Sequence, residues 1–256
     1  MTTAAQKQRE LYFVQRLKSL LSPFPSGAIS QPDPPAPDVV IQSGTSRTGI
    51  EVTELLWDAD PVKGSPIKKT QSLRESVVGR CTALWKDGQY PPAFVTVQWK
   101  EEHPQLSKHE VGDHAANLVA VVSKHLPGPA GHTFLAFPNP GYKDIPPTVA
   151  AIGIHTLAQS SPPLWTVSSG GPVPRLDTAM AALNVVVSAK NGKVGDYRTA
   201  CDMLWLLVVA EGGHQAAHVI IDDESSPTPV TSAFDRVFLI DLAHDRLVEF
   251  PVQQSK

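Results

Sequence analysis

Cysteine is nearly absent from this 256-residue chain: Cys81 and Cys201 are the only two, and no CxxC occurs. That scarcity excludes a disulfide framework and a structural zinc site, and sets a reducing interior as the expected compartment. Long apolar runs are missing as well. The longest, 203-MLWLLVVA-210, falls far short of the roughly 20 residues that cross a bilayer. The opening MTTAAQKQRELYF has no apolar core of signal-peptide length. The expected location is therefore cytoplasmic, with no membrane partner. Basic residues show no excess either, with 22 Lys and Arg against 25 Asp and Glu and a net charge of −3. This argues against a protein that coats nucleic acid non-specifically, but leaves room for a local basic groove beside an acidic metal site.

Several signatures of chemistry are missing too. No GxGxxG or GxSxG is present, and 168-SSGGP-172, without a following GK[ST], reads as a turn. In 109-HEVGDH-114 the two histidines lie five apart. A helical HExxH site needs a spacing of four to bring both imidazoles to one zinc, so this cluster reads as a solvated helix face. There is no internal repeat and no low-complexity tract.

The residues present suit a globular chain able to bury a core, with 41% hydrophobic and 18% charged. The 24 prolines gather in loops such as 31-QPDPPAP-37. Residues 22–37 are read as a Pro-rich loop and 57–69 as a mobile loop. Leu11, Val14, Leu17, Leu20 and Leu21 recur at helical spacing and predict a helix over 5–21, which Pro23 and Pro25 end. Two β-branched runs, 38-DVVIQ-42 and 48-TGIEVTEL-55, flank the turn-like SGTSR and predict a hairpin. Helices are expected over 70–86, 110–125 and 176–190. Strands are expected at 94–100, 133–137, 149–156, 204–210, 236–242 and near 247–252. This alternation makes the class α/β, a mixed β-sheet flanked by helices, read as one domain over 1–256.

Side chains alternate faces along a strand, so parity can be read directly. Val39, Ile41, Ile50 and Val52 fall together on the core face. Asp38, Glu51 and Thr53 fall on the other. Two carboxylates brought together repel unless a cation lies between them, and a hard divalent ion with oxygen ligands is the natural one. The alternative reading of the same pattern is an ordinary exposed polar face.

The order Glu10 on the first helix, then Pro37-Asp38, then 50-IEVT-53 resembles the PD-(D/E)xK nuclease superfamily. The later pieces 190-KNGKVGDY-197, 204-LWLLVV-209 and 234-FDRVFLID-241 are similar to poorly characterised bacterial members of it. The resemblance implies a restriction-endonuclease-like core with C-terminal elaborations and hydrolysis of phosphodiester bonds in DNA or RNA. It implies Mg²⁺ or Mn²⁺ held by Asp38 and Glu51, with Glu10 as a further ligand. The superfamily's lysine, two residues after the second acid, is replaced here by Thr53, which carries no charge. Lys190 and Lys100 are the candidates for a displaced lysine; Lys190 lies in the segment that carries the later resemblance, near Lys193 and Tyr197. The basic patches 63-KGSPIKK-69 and 190-KNGK-193 are candidates to line a groove for phosphates. The alternative function is a catalytically inactive member of the same fold, acting as a binding or assembly module. Either reading leaves room for a homodimer through the apolar C-terminal region.

Overall fold

A computed structural model of the chain describes residues 3–58, 64–100, 106–138, 140–157, 161–168, 173–211, 215–222 and 227–254. Residues 59–63 of the segment read as a mobile loop over 57–69, Lys63 among them, and most of 168–172 lie outside these residues, while 66–69 open a helix rather than continue the loop. In chain order the elements are α1 (Ala4–Leu20), β1 (Ala28–Ser30), β2 (Val39–Ser43), β3 (Ser46–Glu54), α2 (Pro66–Asp87), β4 (Ala93–Trp99) and α3 (Val111–Lys124). There follow β5 (His132–Leu135), β6 (Val149–Thr156), β7 (Leu164–Ser168), α4 (Leu176–Asn191), α5 (Val194–Tyr197) and β8 (Met203–Ala210). Last come β9 (Val230–Ser232), β10 (Arg236–Asp241), β11 (Arg246–Phe250) and β12 (Val252–Gln254). The α/β class expected from the sequence holds. None of the described helices is long and apolar enough to cross a membrane.

The chain divides into two compact units, residues 1–66 with 173–256, and residues 67–172. The second is inserted between β3 and α4 of the first. The single domain read over 1–256 has no visible seam because the insert alternates helix and strand as its flanks do.

The first unit is built on a six-stranded sheet in the order β1-β2-β3-β8-β10-β11. The pairs β3–β8 and β8–β10 are parallel and the others antiparallel, so the sheet is mixed. On one face, Phe13, Val14 and Leu17 of α1 pack with Val39, Ile41, Ile50 and Val52, and with Trp205, Leu207 and Val209. These are the four hairpin residues that parity assigns to the core. On the other face, Ala179, Leu183 and Val187 of α4 pack with Leu204, Leu206 and Val208. Strand β8 is therefore buried on both faces, which explains its unbroken apolar run. Each fully buried Leu, Ile or Val side chain contributes about 1.5–3 kcal/mol of transfer free energy. The apolar C-terminal runs are thus consumed inside this unit rather than offered outward.

The β2–β3 hairpin closes through Gly44 at φ +59°, in the first of its two turn positions, where a glycine costs least. Gly49 meets a different demand. A Cβ there would lie 2.7 Å from both Pro37 Cγ and Cys201 Sγ, so only glycine lets Pro37 close against β3. That close approach sets the position of the next residue, Asp38.

The second unit carries a four-stranded sheet in the order β5-β6-β4-β7. Val77, Cys81 and Trp85 of α2 and Leu118 and Val122 of α3 join Val95, Val97, Ile152, Ile154 and Trp165 in its core. Strand β7 was not foreseen, since 164-LWTVS-168 is short and follows two prolines. Both cysteines are free and buried, one in each unit. Burial pushes the Cys81 thiol up to about 12, so it is no nucleophile at neutral pH. The ring of His114 lies 6.3 Å from that of Trp99, while His109 is exposed ahead of α3.

Candidate functional site

Asp38 stands just ahead of β2, held where Pro37 meets Gly49. Its Oδ2 accepts the backbone N–H of Val52 at 2.8 Å, which ties it to the neighbouring strand beside Glu51. Glu51 itself is only 2% exposed. By strand alternation it points to the α4 side of the sheet, away from Ile50 and Val52.

From that side comes Lys190, in the last turn of α4. Its Nζ donates to Glu51 Oε1 at 2.6 Å across a sequence separation of 139 residues. The helix end is fixed for this contact. Asn191 Oδ1 accepts the backbone N–H of Ala233 at 3.0 Å and bonds Ser232 Oγ at 3.1 Å. Of the sequence-named lysines, Lys190 is the one in contact with Glu51. Lys100 lies in the other unit, its ammonium 5.8 Å from the centre of the Tyr142 ring and its carbonyl bonded by Arg74.

The electrostatics follow from this burial. The Asp38 carboxyl is pushed up to about 7, first by desolvation and then by the charge on Glu51; Glu10 adds to the rise. The Val52 N–H and Lys190 oppose it without cancelling it. Glu51 Oε2 is buried and has no hydrogen-bond partner, although Oε1 is well satisfied. Tyr197 of α5 also faces this group. Its phenol is held above the usual tyrosine range by burial and then by the Glu51 charge, so it stays protonated. The sequence places Tyr197 near Lys190 but gives it no part in the site; its signal is an aromatic at the end of the short helix that follows Lys190.

Glu10 approaches from α1, on the opposite face of the sheet. It is 8% exposed, and Gln6 Nε2 donates to its Oε1 at 3.0 Å. Glu10, Gln6, Arg9, Thr53, Glu54 and Lys190 line one cleft of about 540 Å³. Arg9 is ion-paired to Glu54 at 3.5 Å and also to Glu211. Thr53 is thus a wall of the cleft that Lys190 enters, and its hydroxyl brings no charge there.

Among the described residues, no three His, Cys, Asp or Glu side chains form a ready-made coordination shell. The donors nevertheless suit a hard divalent cation. A buried and a half-buried carboxylate stand together, Glu51 Oε2 has no hydrogen-bond partner, and the Asp38 carboxyl is raised first by desolvation and then by the charge on Glu51. Comparison of the chain with family models, curated proteins and solved structures finds no match.

Proposed function

We propose that the chain is a metal-dependent nuclease-like protein of the cytoplasm, hydrolysing phosphodiester bonds in DNA or RNA. The observation that carries this reading is the buried Glu51, paired to Lys190 through Oε1 and left without a partner on Oε2 beside the proton-poised Asp38. Asp38 and Glu51 would hold Mg²⁺ or Mn²⁺, with Glu10, from the cleft that Lys190 also lines, as a further or water-mediated ligand. When bound, such an ion supplies charge neutralisation at a phosphoryl oxygen and acidification of a water molecule. Lys190 supplies the fixed positive charge that Thr53 lacks. Its ammonium, anchored by Glu51, can donate to a developing phosphorane oxygen or orient the attacking water. Tyr197 keeps its proton and so remains a donor toward the Glu51 side of the site.

The test is cleavage of labelled single-stranded DNA, duplex DNA and RNA in Mg²⁺ or Mn²⁺. Cleavage should require the metal and should disappear in Asp38→Ala and Glu51→Ala. Cleavage that survives both substitutions overturns the assignment of these residues. A second reading, a catalytically silent binding or assembly module on the same fold, is favoured by the uncharged Thr53 and by a Lys190 already committed to Glu51. Calorimetry separates the two: Mn²⁺ binding that depends on Asp38 and Glu51 is expected for the enzyme, and its absence supports the silent module.

A further inference from the structure

The second unit carries a histidine pair that the proposed site does not use. Strand β6 lies between β5 and β4, so His155 pairs with His132 of β5 on one side and with Phe94 of β4 on the other. The register brings the two histidines as close as an antiparallel sheet allows. In the neighbouring pair, the Thr156 N–H donates to the Gly131 carbonyl at 3.0 Å, which makes 131–156 a hydrogen-bonded pair. Hydrogen-bonded and non-hydrogen-bonded pairs alternate along such a ladder. His132 and His155 are therefore a non-hydrogen-bonded pair, the kind with Cα atoms about 4.5 Å apart and side chains together on one face. Their ring centroids lie 5.9 Å apart, with planes within 23°. Phe94 flanks His155 at 6.2 Å, on the side away from His132. Both histidines are exposed, and neither ring hydrogen-bonds another described residue.

We infer that His132 and His155 form a cross-strand chelate for a divalent metal of the zinc and copper class. Such ions take imidazole nitrogen, at about 2.0–2.1 Å for zinc, whereas Mg²⁺ and Mn²⁺ prefer oxygen. Adding the ring radius puts the ion about 3.2 Å from each centroid, so two rings on one ion stand roughly 5–6.4 Å apart. The observed 5.9 Å falls within that span without any movement of the strands. The outer torsion of a histidine is broad, so the two nitrogen edges can turn together at little cost. Strands β4 to β7 carry no Lys or Arg to oppose a cation. The chelate needs no cysteine, and the remaining coordination positions go to water. Its consequence is mechanical. Strand β5 has four residues and ends the sheet, and His132 is its first residue. An ion shared with His155 ties that edge strand to β6. The inference goes beyond the nuclease reading and holds whether or not the Asp38–Glu51 site cuts.

The test is calorimetric titration of the full chain with Zn²⁺ in excess Mg²⁺. Zn²⁺ should bind, and His132→Gln and His155→Gln should each weaken binding by about tenfold or more, since losing even an outer partner of a ligand costs that much. Both rings are exposed, so the variants should melt in EDTA as the unaltered chain does, and the loss then reports on the ligand rather than the fold. The variant His109→Gln with His114→Gln should titrate as the unaltered chain does. With Cu²⁺, electron paramagnetic resonance should show two equatorial nitrogen ligands, and one in either single variant. Hydrogen exchange of the β5 amides should slow on adding Zn²⁺, and should not do so when both histidines are replaced. Asp38→Ala should bind Zn²⁺ unchanged, which separates failure here from failure of the nuclease reading. Zn²⁺ binding that survives replacement of both histidines overturns the inference. Binding that excess Mg²⁺ displaces, or that Asp38→Ala abolishes, does so too, because the ion would then belong to the carboxylates.

Discussion

Removing the Lys190 ammonium should cost the first unit more than any exposed salt bridge could. The Glu51 side chain is 3% exposed and that of Lys190 21%, so the pair is largely cut off from solvent. In Lys190→Met the carboxylate would remain buried beside Asp38 with neither oxygen paired to a cation. Breaking a buried pair in this one-sided way costs about 3–5 kcal/mol. Because Lys190 keeps some access to water, the low end applies. A loss of about 3 kcal/mol corresponds to a fall of roughly 6–12 °C in Tm for a unit of this size. The measurement is thermal and urea denaturation in EDTA at pH 8, followed by circular dichroism. The double variant Lys190→Met with Glu51→Gln should regain most of the loss, because the stranded charge is gone. Added Mn²⁺ should also raise the Tm of Lys190→Met by more than that of the unaltered chain, since the ion supplies the missing charge. A Lys190→Met protein that melts within about 1 °C of the parent, or a double variant no better than the single, would refute the claim that Lys190 compensates Glu51.

Three further outcomes follow from the same group. The Asp38 carboxyl titrates at about 7 in the folded protein against an ordinary value near 4, so folding takes up a proton. Its stability contribution is complete below about pH 4 and is lost as pH rises toward 7; urea denaturation in EDTA should show that decline, of a few kcal/mol, and Asp38→Asn should flatten it. Thr53→Lys in the Lys190→Met background should recover both Tm and any metal-dependent cleavage, since Thr53 lines the cleft that Lys190 enters; a swap that recovers neither would mean the site needs its charge from α4 alone. Gly49→Ala should destabilise by about 1–3 kcal/mol through overpacking against Pro37 and Cys201, and should lower Mn²⁺ affinity by displacing Asp38; unchanged affinity in calorimetry would separate Pro37 packing from the site.

Much of the first unit was legible because its elements obey single periods. The hairpin parity holds because one face of β2 and β3 is covered by α1, and a one-residue slip would turn Val39, Ile41, Ile50 and Val52 away from Phe13 and Leu17. What was not legible depends on contacts distant in sequence. Strand β1 is three exposed residues paired with β2, inside the 22–37 segment read as a Pro-rich loop, and no apolar pattern marks it. The division at residues 66 and 173 is not marked by any break in the alternation of helix and strand, and the pairing register of the 67–172 strands is not given by sequence spacing.

The charged members of the site lay between these cases, and a physical signal for them exists. On α4, Leu183, Val187 and Lys190 fall at i, i+4 and i+7, so the lysine occupies the next position of the stripe that packs on the sheet. On α1, Glu10 stands three and four residues ahead of the buried Phe13 and Val14, and seven ahead of Leu17. Each charge therefore sits one turn past the end of an apolar stripe, where the helix still points inward but the packed core has stopped. A lysine on an exposed helix face keeps its ammonium in water. A lysine on the core stripe can do so only by reaching past the sheet edge, unless a buried acid meets it. Glu51, an acid within an apolar strand, is the complementary anomaly on β3. The two anomalies require one another: each charge is tolerable in its place because the other is 2.6 Å away. Searching for charges that continue an apolar stripe, rather than for a lysine two residues after the acid, therefore selects Lys190 over Lys100, which follows the end of β4 and has a ring beneath it instead of an acid.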